Sequence, residues 1–237
     1  MTNSDPKSNP GEPAELRSFA RTRTRGLTAR QQDVVDRLSE DVTIGPNVND
    51  GQDAAALFDA KFDDVWIEIG FGGGEHLLWQ ARNNPEVGLI GCEPFRDGVV
   101  RVMTTIDSEK LTNIRLLADD ARPLLRSLQP ESIGRAFVLF ADPWPKKRHH
   151  KRRLINPGLA DLLARVLKPN AELRVATDID DYLQAILLTF HLHSSFQWLA
   201  ERPTDWRHRP DDWPETRYEA KAIREGRSCA YLRYRRI

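Results

Sequence analysis

Val65-Trp66-Ile67-Glu68-Ile69-Gly70-Phe71-Gly72-Gly73-Gly74-Glu75 is a short apolar run that breaks into a glycine-rich turn and then opens into a helical pattern. Such a run is a buried strand, and glycines at its end let backbone approach a ligand closely. Further along the chain, short apolar runs keep alternating with amphipathic stretches, as a parallel sheet with crossover helices requires. Strands are expected at Val65 to Ile69, Val87 to Cys92, Asn113 to Leu117, Ala136 to Ala141, Glu172 to Ala176, Phe196 to Leu199 and Cys229 to Tyr234. Helices are expected at Glu75 to Arg82, Asp97 to Ile106, Ala121 to Leu128, Pro157 to Leu167 and Asp180 to Leu192. Pro157 suits a first helical turn, where its missing N–H is not needed. The fold class is therefore α/β, a doubly wound, seven-stranded, mostly parallel sheet. Residues 1–15 read as a disordered tail, residues 16–60 as a basic arm and helical lead-in, and residues 61–237 as a single domain.

The glycine turn also says what it does not hold. A dinucleotide-binding turn wants a glycine three places after Gly72, so that a pyrophosphate can sit on the helix N-terminus. Glu75 stands there instead, and Glu68 precedes the turn. Two carboxylates at that end repel phosphates and suit a ligand carrying positive charge, such as the sulfonium and amino group of S-adenosylmethionine. The alternative is a turn that merely joins strand to helix. Glu93 follows Gly70 by 23 residues, near the spacing at which an acid meets ribose hydroxyls in doubly wound folds. Asp120 either accepts from an adenine amino group or caps the helix behind it, and one residue can do both. Glu68, Glu93 and Asp120 end three successive strands along the edge where open α/β sheets bind ligands.

The fourth strand delivers Asp142-Pro143-Trp144-Pro145 to the same edge, then Lys146-Lys147-Arg148-His149-His150-Lys151-Arg152-Arg153. Two prolines stiffen the loop. A rigid carboxylate with an indole suits a pocket for a planar base, although Trp144 could equally be core packing. Eight residues with six full charges, fused to this loop, point to nucleic acid rather than to a merely solvated face. Whole-chain charge is silent, because 35 basic and 35 acidic residues cancel. Arg17, Arg21, Arg23, Arg25 and Arg30 form a further positive arm without an intervening acid.

Two distant cysteines, Cys92 and Cys229, make neither a disulfide scaffold nor a ligand cluster, and no metal is expected. No apolar run approaches the roughly 20 residues of a membrane span, so a cytoplasmic protein without membrane contact is expected. Nothing in the sequence requires an obligatory protein partner.

Glu68 to Glu75, Asp142 to Arg153, Asp178 and Thr216-Arg217-Tyr218-Glu219 together resemble the bacterial tRNA guanine-N7 methyltransferases, with the Asp142 to Arg153 string the most diagnostic part. The resemblance runs from about Phe19 to the C-terminus. It implies a class I, Rossmann-like methyltransferase that moves a methyl group from S-adenosylmethionine to N7 of a guanine in tRNA, usually position 46 of the variable loop. It further implies cofactor contacts from Glu68, Glu93, Asp120 and Asp142, which Gly70 and Gly72 of the turn would join. Substrate contacts would come from Lys146, Asp178, Thr216, Arg217, Tyr218 and Glu219, and RNA contacts from Arg148, His149, His150, Lys151, Arg152 and Arg153. Ala141 departs from the family, where proline is frequent. Asp178 could instead cap a helix, Thr216 to Glu219 is also a capping box, and Lys146 could neutralise Asp142.

N7 carries a free lone pair, so the reaction needs alignment and nearby negative charge rather than a base. Asp142 is the expected catalytic residue in that orienting sense. An exocyclic-amine methyltransferase, a nicotinamide oxidoreductase and a non-catalytic RNA-binding module are the competing readings. If the basic loop tracks tRNA phosphates, binding measured by filter retention should weaken steeply with added salt, and a flat response would contradict it.

Overall fold

The computed structural model describes residues 26–45 and 48–237. The expected tail and Arg17, Arg21, Arg23 and Arg25 lie outside them, while Arg30 is an exposed residue of the first helix. Seven strands form one sheet: β1 (Asp64–Ile69), β2 (Val87–Cys92), β3 (Ile114–Leu117), β4 (Ile133–Leu139), β5 (Leu167–Thr177), β6 (Phe196–Trp198) and β7 (Ala230–Arg236). Their order is β3-β2-β1-β4-β5-β7-β6. β1 pairs in parallel with β2 and β4, and β7 runs antiparallel between β5 and β6. The chain winds outward from β1 to β3, then restarts at β4 on the other side of β1. That reversal opens a crevice beyond the carboxyl ends of β1 and β4.

The sheet is covered on both faces, so β1 is buried almost throughout. Its alternation separates two layers. Ile67 and Ile69 pack with Leu124, Leu163 and Ile186, whereas Trp66 packs with Phe137, Leu77 and Met103. The helices are α1 (Ala29–Val42), α2 (Glu75–Asn83), α3 (Arg96–Glu109), α4 (Ala121–Ser127), α5 (Pro157–Val166), α6 (Asp180–His191), α7 (Thr204–Arg207) and α8 (Arg217–Arg224). Pro157 stands in the first turn of α5, and Asn156 caps it by accepting from the Leu159 N–H. Among the described residues no helix is long and apolar enough to cross a membrane.

Several boundaries differ from the sequence expectation, and three of them have a visible cause. β4 stops at Leu139 because Phe140 turns into the left-handed region, φ 52°, while its N–H still donates to Ala176 O at 2.8 Å. β5 begins at Leu167, because the chain pairs Ile133 with Leu167 and then shifts register so that Arg135 meets Glu172. Lys168-Pro169-Asn170 sits in that bulge, with Asn170 at φ 66°, and reads in the sequence as a break. β7 continues through Arg235 and Arg236, which pair across the sheet with Glu172 and Phe196 despite their charge.

The helical lead-in is α1, which begins with a capping box between Thr28 and Gln31 and docks on α3 through Arg37 and Asp107, 2.9 Å apart. The segment after it covers the β3 edge, with Ile44 N–H donating to Leu116 O at 2.7 Å.

One glycine decides how closely α3 meets the turn after β1. A Cβ on Gly98 would lie 2.0 Å from the carbonyl oxygen of Gly72, a backbone atom with no room to yield. Gly98→Ala should therefore destabilise the protein by about 2 to 3 kcal/mol, read as a lower urea midpoint. An unchanged midpoint would show that helix and turn can separate freely.

Candidate active site

A cavity of about 350 Å³ opens at the reversal point and is lined by Gly70, Gly72, Glu93, Asp120, Asp142 and Tyr218 among others. That is within the size range of small-molecule sites. Gly70, Gly72 and Gly74 all adopt positive φ, at 77°, 56° and 81°, which side-chain-bearing residues rarely tolerate. The Gly72 N–H donates to Glu93 Oε2 and the Phe95 N–H donates to Glu93 Oε1, both at 2.8 Å. Glu93 thus ties the glycine turn to the start of α3. Burial pushes its carboxyl above the usual range against the opposing pull of these two N–H groups, and Asp142 and Glu68 push in the same direction as burial.

Asp120 caps α4 by accepting from the Arg122 N–H at 2.9 Å, and the Arg122 side chain grips the same carboxylate. Arg122 also lines the cavity, and its spacing two residues beyond Asp120 is the one signal that could have revealed it. Glu68 differs from the other acids. It stands outside the cavity lining and is buried, with Oε2 2.8 Å from His76 Nδ1.

The loop after β4 is held in an unusual path. Phe140 and Trp144 flank Asp142 with φ of 52° and 45°, conformations that cost free energy and persist only where the surroundings enforce them. Asp142 is exposed at the cavity mouth. Trp144 lines the cavity with the Arg152 guanidinium 5.0 Å from its ring and His149 edge-on at 5.9 Å, so it is a wall and not a core residue.

The basic run divides in two. Lys147–Arg152 forms a 3-10 turn, and Lys146, Lys147, Arg148 and Lys151 are exposed. Desolvation lowers the His149 pKa, and the cations Arg152, Arg148, Lys146 and Lys151 lower it further. His150 lies 3.4 Å from Asp181. Arg153, expected among the RNA contacts, is a correction. It is 5% exposed, donates to Pro143 O at 2.8 Å, pairs with Asp181 and lies over the Tyr182 ring. Its guanidinium clamps the loop to α6 and faces inward rather than towards solvent.

The expected substrate stretch also divides. Thr216 caps α8 by accepting from the Glu219 N–H, and Glu219 is buried, accepting from Tyr231 OH at 2.5 Å and lying 2.9 Å from Arg209. Both are buried, and the Thr216 hydroxyl and Glu219 Oε1 are engaged within the fold. Tyr218 and Arg217 face the other way. A Cβ on Gly72 would lie 2.9 Å from the Tyr218 ring, and one on Gly73 would overlap the Arg217 guanidinium. Arg217 is 2.9 Å from Glu75, so α8 lies directly on the glycine turn. Asp178 is outside the cavity lining and accepts from Arg227 Nε at 2.7 Å, and α6 is capped at Ile179 rather than by Asp178.

A doubly wound sheet with an antiparallel β7 inserted, a glycine turn after β1 and a carboxylate-lined cavity at the reversal point define a class I methyltransferase. The solved structure of the 16S rRNA methyltransferase KamB shares this fold, with a TM-score of 0.53 at 17% identity over 82% of this chain and 98% of that one. A family model described as "Putative methyltransferase" matches residues 63–232. The tRNA (guanine-N(7)-)-methyltransferase of Rhodospirillum rubrum is 46% identical over 96% of this chain and 91% of its own length. The enzyme of the same name from Ruegeria pomeroyi is 51% identical over 78% of this chain and 77% of its own length. The chain belongs to the tRNA (guanine-N(7)-)-methyltransferase family.

The division of the basic run is testable. Arg153→Ala should lower stability by about 2 kcal/mol, since it removes the buried guanidinium and leaves the Pro143 carbonyl without its donor. Arg148→Ala with Lys151→Ala should leave stability within about 0.5 kcal/mol while weakening tRNA binding. Thermal unfolding and filter binding on the same samples separate the two effects.

Proposed function

We propose that this chain transfers a methyl group from S-adenosylmethionine to N7 of guanine in tRNA, at guanine 46 of the variable loop, giving 7-methylguanosine and S-adenosylhomocysteine. tRNA is its partner and the cytoplasm its place of action. The observation that carries this reading is the joining, on one loop, of a cavity-mouth carboxylate, a cavity-wall indole and a turn of exposed cations.

The cavity fits the cofactor chemically. Glu93, Asp142 and the nearby Glu68 concentrate negative charge until burial and mutual repulsion raise the Glu93 pKa. A ligand carrying a sulfonium and an ammonium group relieves that repulsion. When bound, the cofactor supplies an electrophilic methyl group. Gly70 and Gly72 let the backbone approach the ligand, Glu93 faces its ribose, and Asp120, held by Arg122, faces its adenine.

Asp142 does the orienting work on the guanine. It accepts from the Watson–Crick edge, leaves N7 open, and offers negative charge as the purine becomes cationic. An arginine forked onto O6 and N7, the common way to read guanine, would cover the atom to be methylated. Trp144 and Tyr218 wall the base. Lys146, Lys147, Arg148 and Lys151 bind phosphates, which set affinity and register rather than base choice. Asp178, paired with Arg227, is the second candidate acceptor for the base.

Mass spectrometry of nucleosides from bulk tRNA incubated with enzyme and labelled cofactor should show label in 7-methylguanosine alone. Label in an N6- or N2-methylated base would favour an exocyclic-amine enzyme, and no label would favour an RNA-binding module. Asp142→Asn should lower the single-turnover rate by about 10² to 10³, the scale on which positioned charge acts. Retention of the full rate would remove Asp142 from the chemistry.

A further inference from the structure

Behind the glycine turn, within the layer that holds Trp66 and Phe137, runs a buried polar chain outside the cavity lining. Glu68 is 3%, His76 1% and Gln80 2% exposed. His76 Nδ1 lies 2.8 Å from Glu68 Oε2, and Gln80 Nε2 lies 3.1 Å from His76 Nε2. The orientation of the Gln80 amide is fixed at both ends. Its oxygen accepts from Asn84 Nδ2 at 3.1 Å and its nitrogen donates to Asp212 O at 3.3 Å. The nitrogen therefore faces His76, so Nε2 of the imidazole accepts and Nδ1 carries the hydrogen donated to Glu68. Phe137 at 4.6 Å and Trp213 at 6.4 Å hold the ring edge-on from two sides.

A fully buried carboxylate held by one histidine is costly to keep, and packing alone would be better served by an apolar pair. Its position gives it a use. Glu68 is followed directly by Ile69 and Gly70, which line the cavity, and its charge is felt by Glu93. Resting on the cofactor assignment above, we infer that His76 is a positioning residue: its Nδ1–H aims the Glu68 carboxylate beneath the glycine turn. The cationic amino-acid end of a bound cofactor then feels the charge of the Glu68 carboxylate through the turn, in addition to that of Asp142 at the cavity mouth. The adenosine end, held by Glu93 and Asp120, is independent of His76.

The test compares two ligands by calorimetry. S-adenosylhomocysteine carries the amino-acid end, and 5′-methylthioadenosine lacks it. His76→Asn places an amide donor near the Nδ1 position, whereas His76→Gln places it near Nε2. The Gln variant should bind S-adenosylhomocysteine about tenfold more weakly, a loss of about 1.4 kcal/mol, with methylthioadenosine unchanged. The Asn variant should recover most of that loss. Equal losses for both ligands, equal behaviour of the Asn and Gln variants, or no loss at all would overturn the inference. A variant that unfolds, seen by thermal melting, is replaced by Gln80→Leu, which removes the lock on the tautomer and should reproduce the selective loss. Failure of the unmodified protein to bind S-adenosylhomocysteine would overturn the cofactor assignment itself.

Discussion

A single buried carboxylate holds the site's geometry together. Glu93 receives the N–H groups of Gly72 and Phe95 on its two oxygens, so the turn after β1 and the start of α3 share one anchor. Gly98 completes the arrangement by letting α3 approach the Gly72 carbonyl with no side chain between them. Burial and like charges make the carboxyl harder to ionise than an exposed glutamic acid. The site therefore stores unfavourable electrostatics where a cationic ligand would relieve them, a pattern expected of binding sites rather than of framework.

Around that anchor, packing divides each motif between support and contact. In the loop after β4, Arg153 clamps Pro143 and Asp181 while Asp142 and Trp144 face the cavity. In α8, Thr216 and Glu219 turn inward while Arg217 and Tyr218 lie on the glycine turn. The two segments meet at the same cavity, which Asp142, Trp144 and Tyr218 all line.

The strands and most helices were legible because β1 to β5 are buried on both faces and read as apolar runs, and the glycines with Glu75 marked the turn. Glu93, Asp120 and Asp142 were legible because they fall at strand ends, where topology alone brings them together. What stayed hidden depends on side-chain direction. A run of six cations carries no sign of which one is buried, so Arg153 looked like its neighbours. Thr216 to Glu219 gave the cap, but not which two of its four residues lie on the glycine turn. Gly98 reads as an ordinary helical residue until Gly72 is seen against it, and His76 as a surface position on an amphipathic helix until Glu68 is found beside it. The bulge at Pro169 conceals the first part of β5.

The electrostatic tension at Glu93 can be read directly as protons. A cation placed beside a carboxyl whose pKa is raised lowers that pKa, so between the free and bound values binding expels a proton. Affinity for the cationic ligand is full above that window and falls as pH drops through it. Calorimetry of sinefungin, a cation-bearing cofactor analogue, in two buffers of different ionisation enthalpy and over a series of pH values measures this release. Net proton release that disappears in Glu93→Gln is the expected result. Proton uptake, or a release that the substitution leaves intact, would contradict the role given to the Glu93 carboxylate.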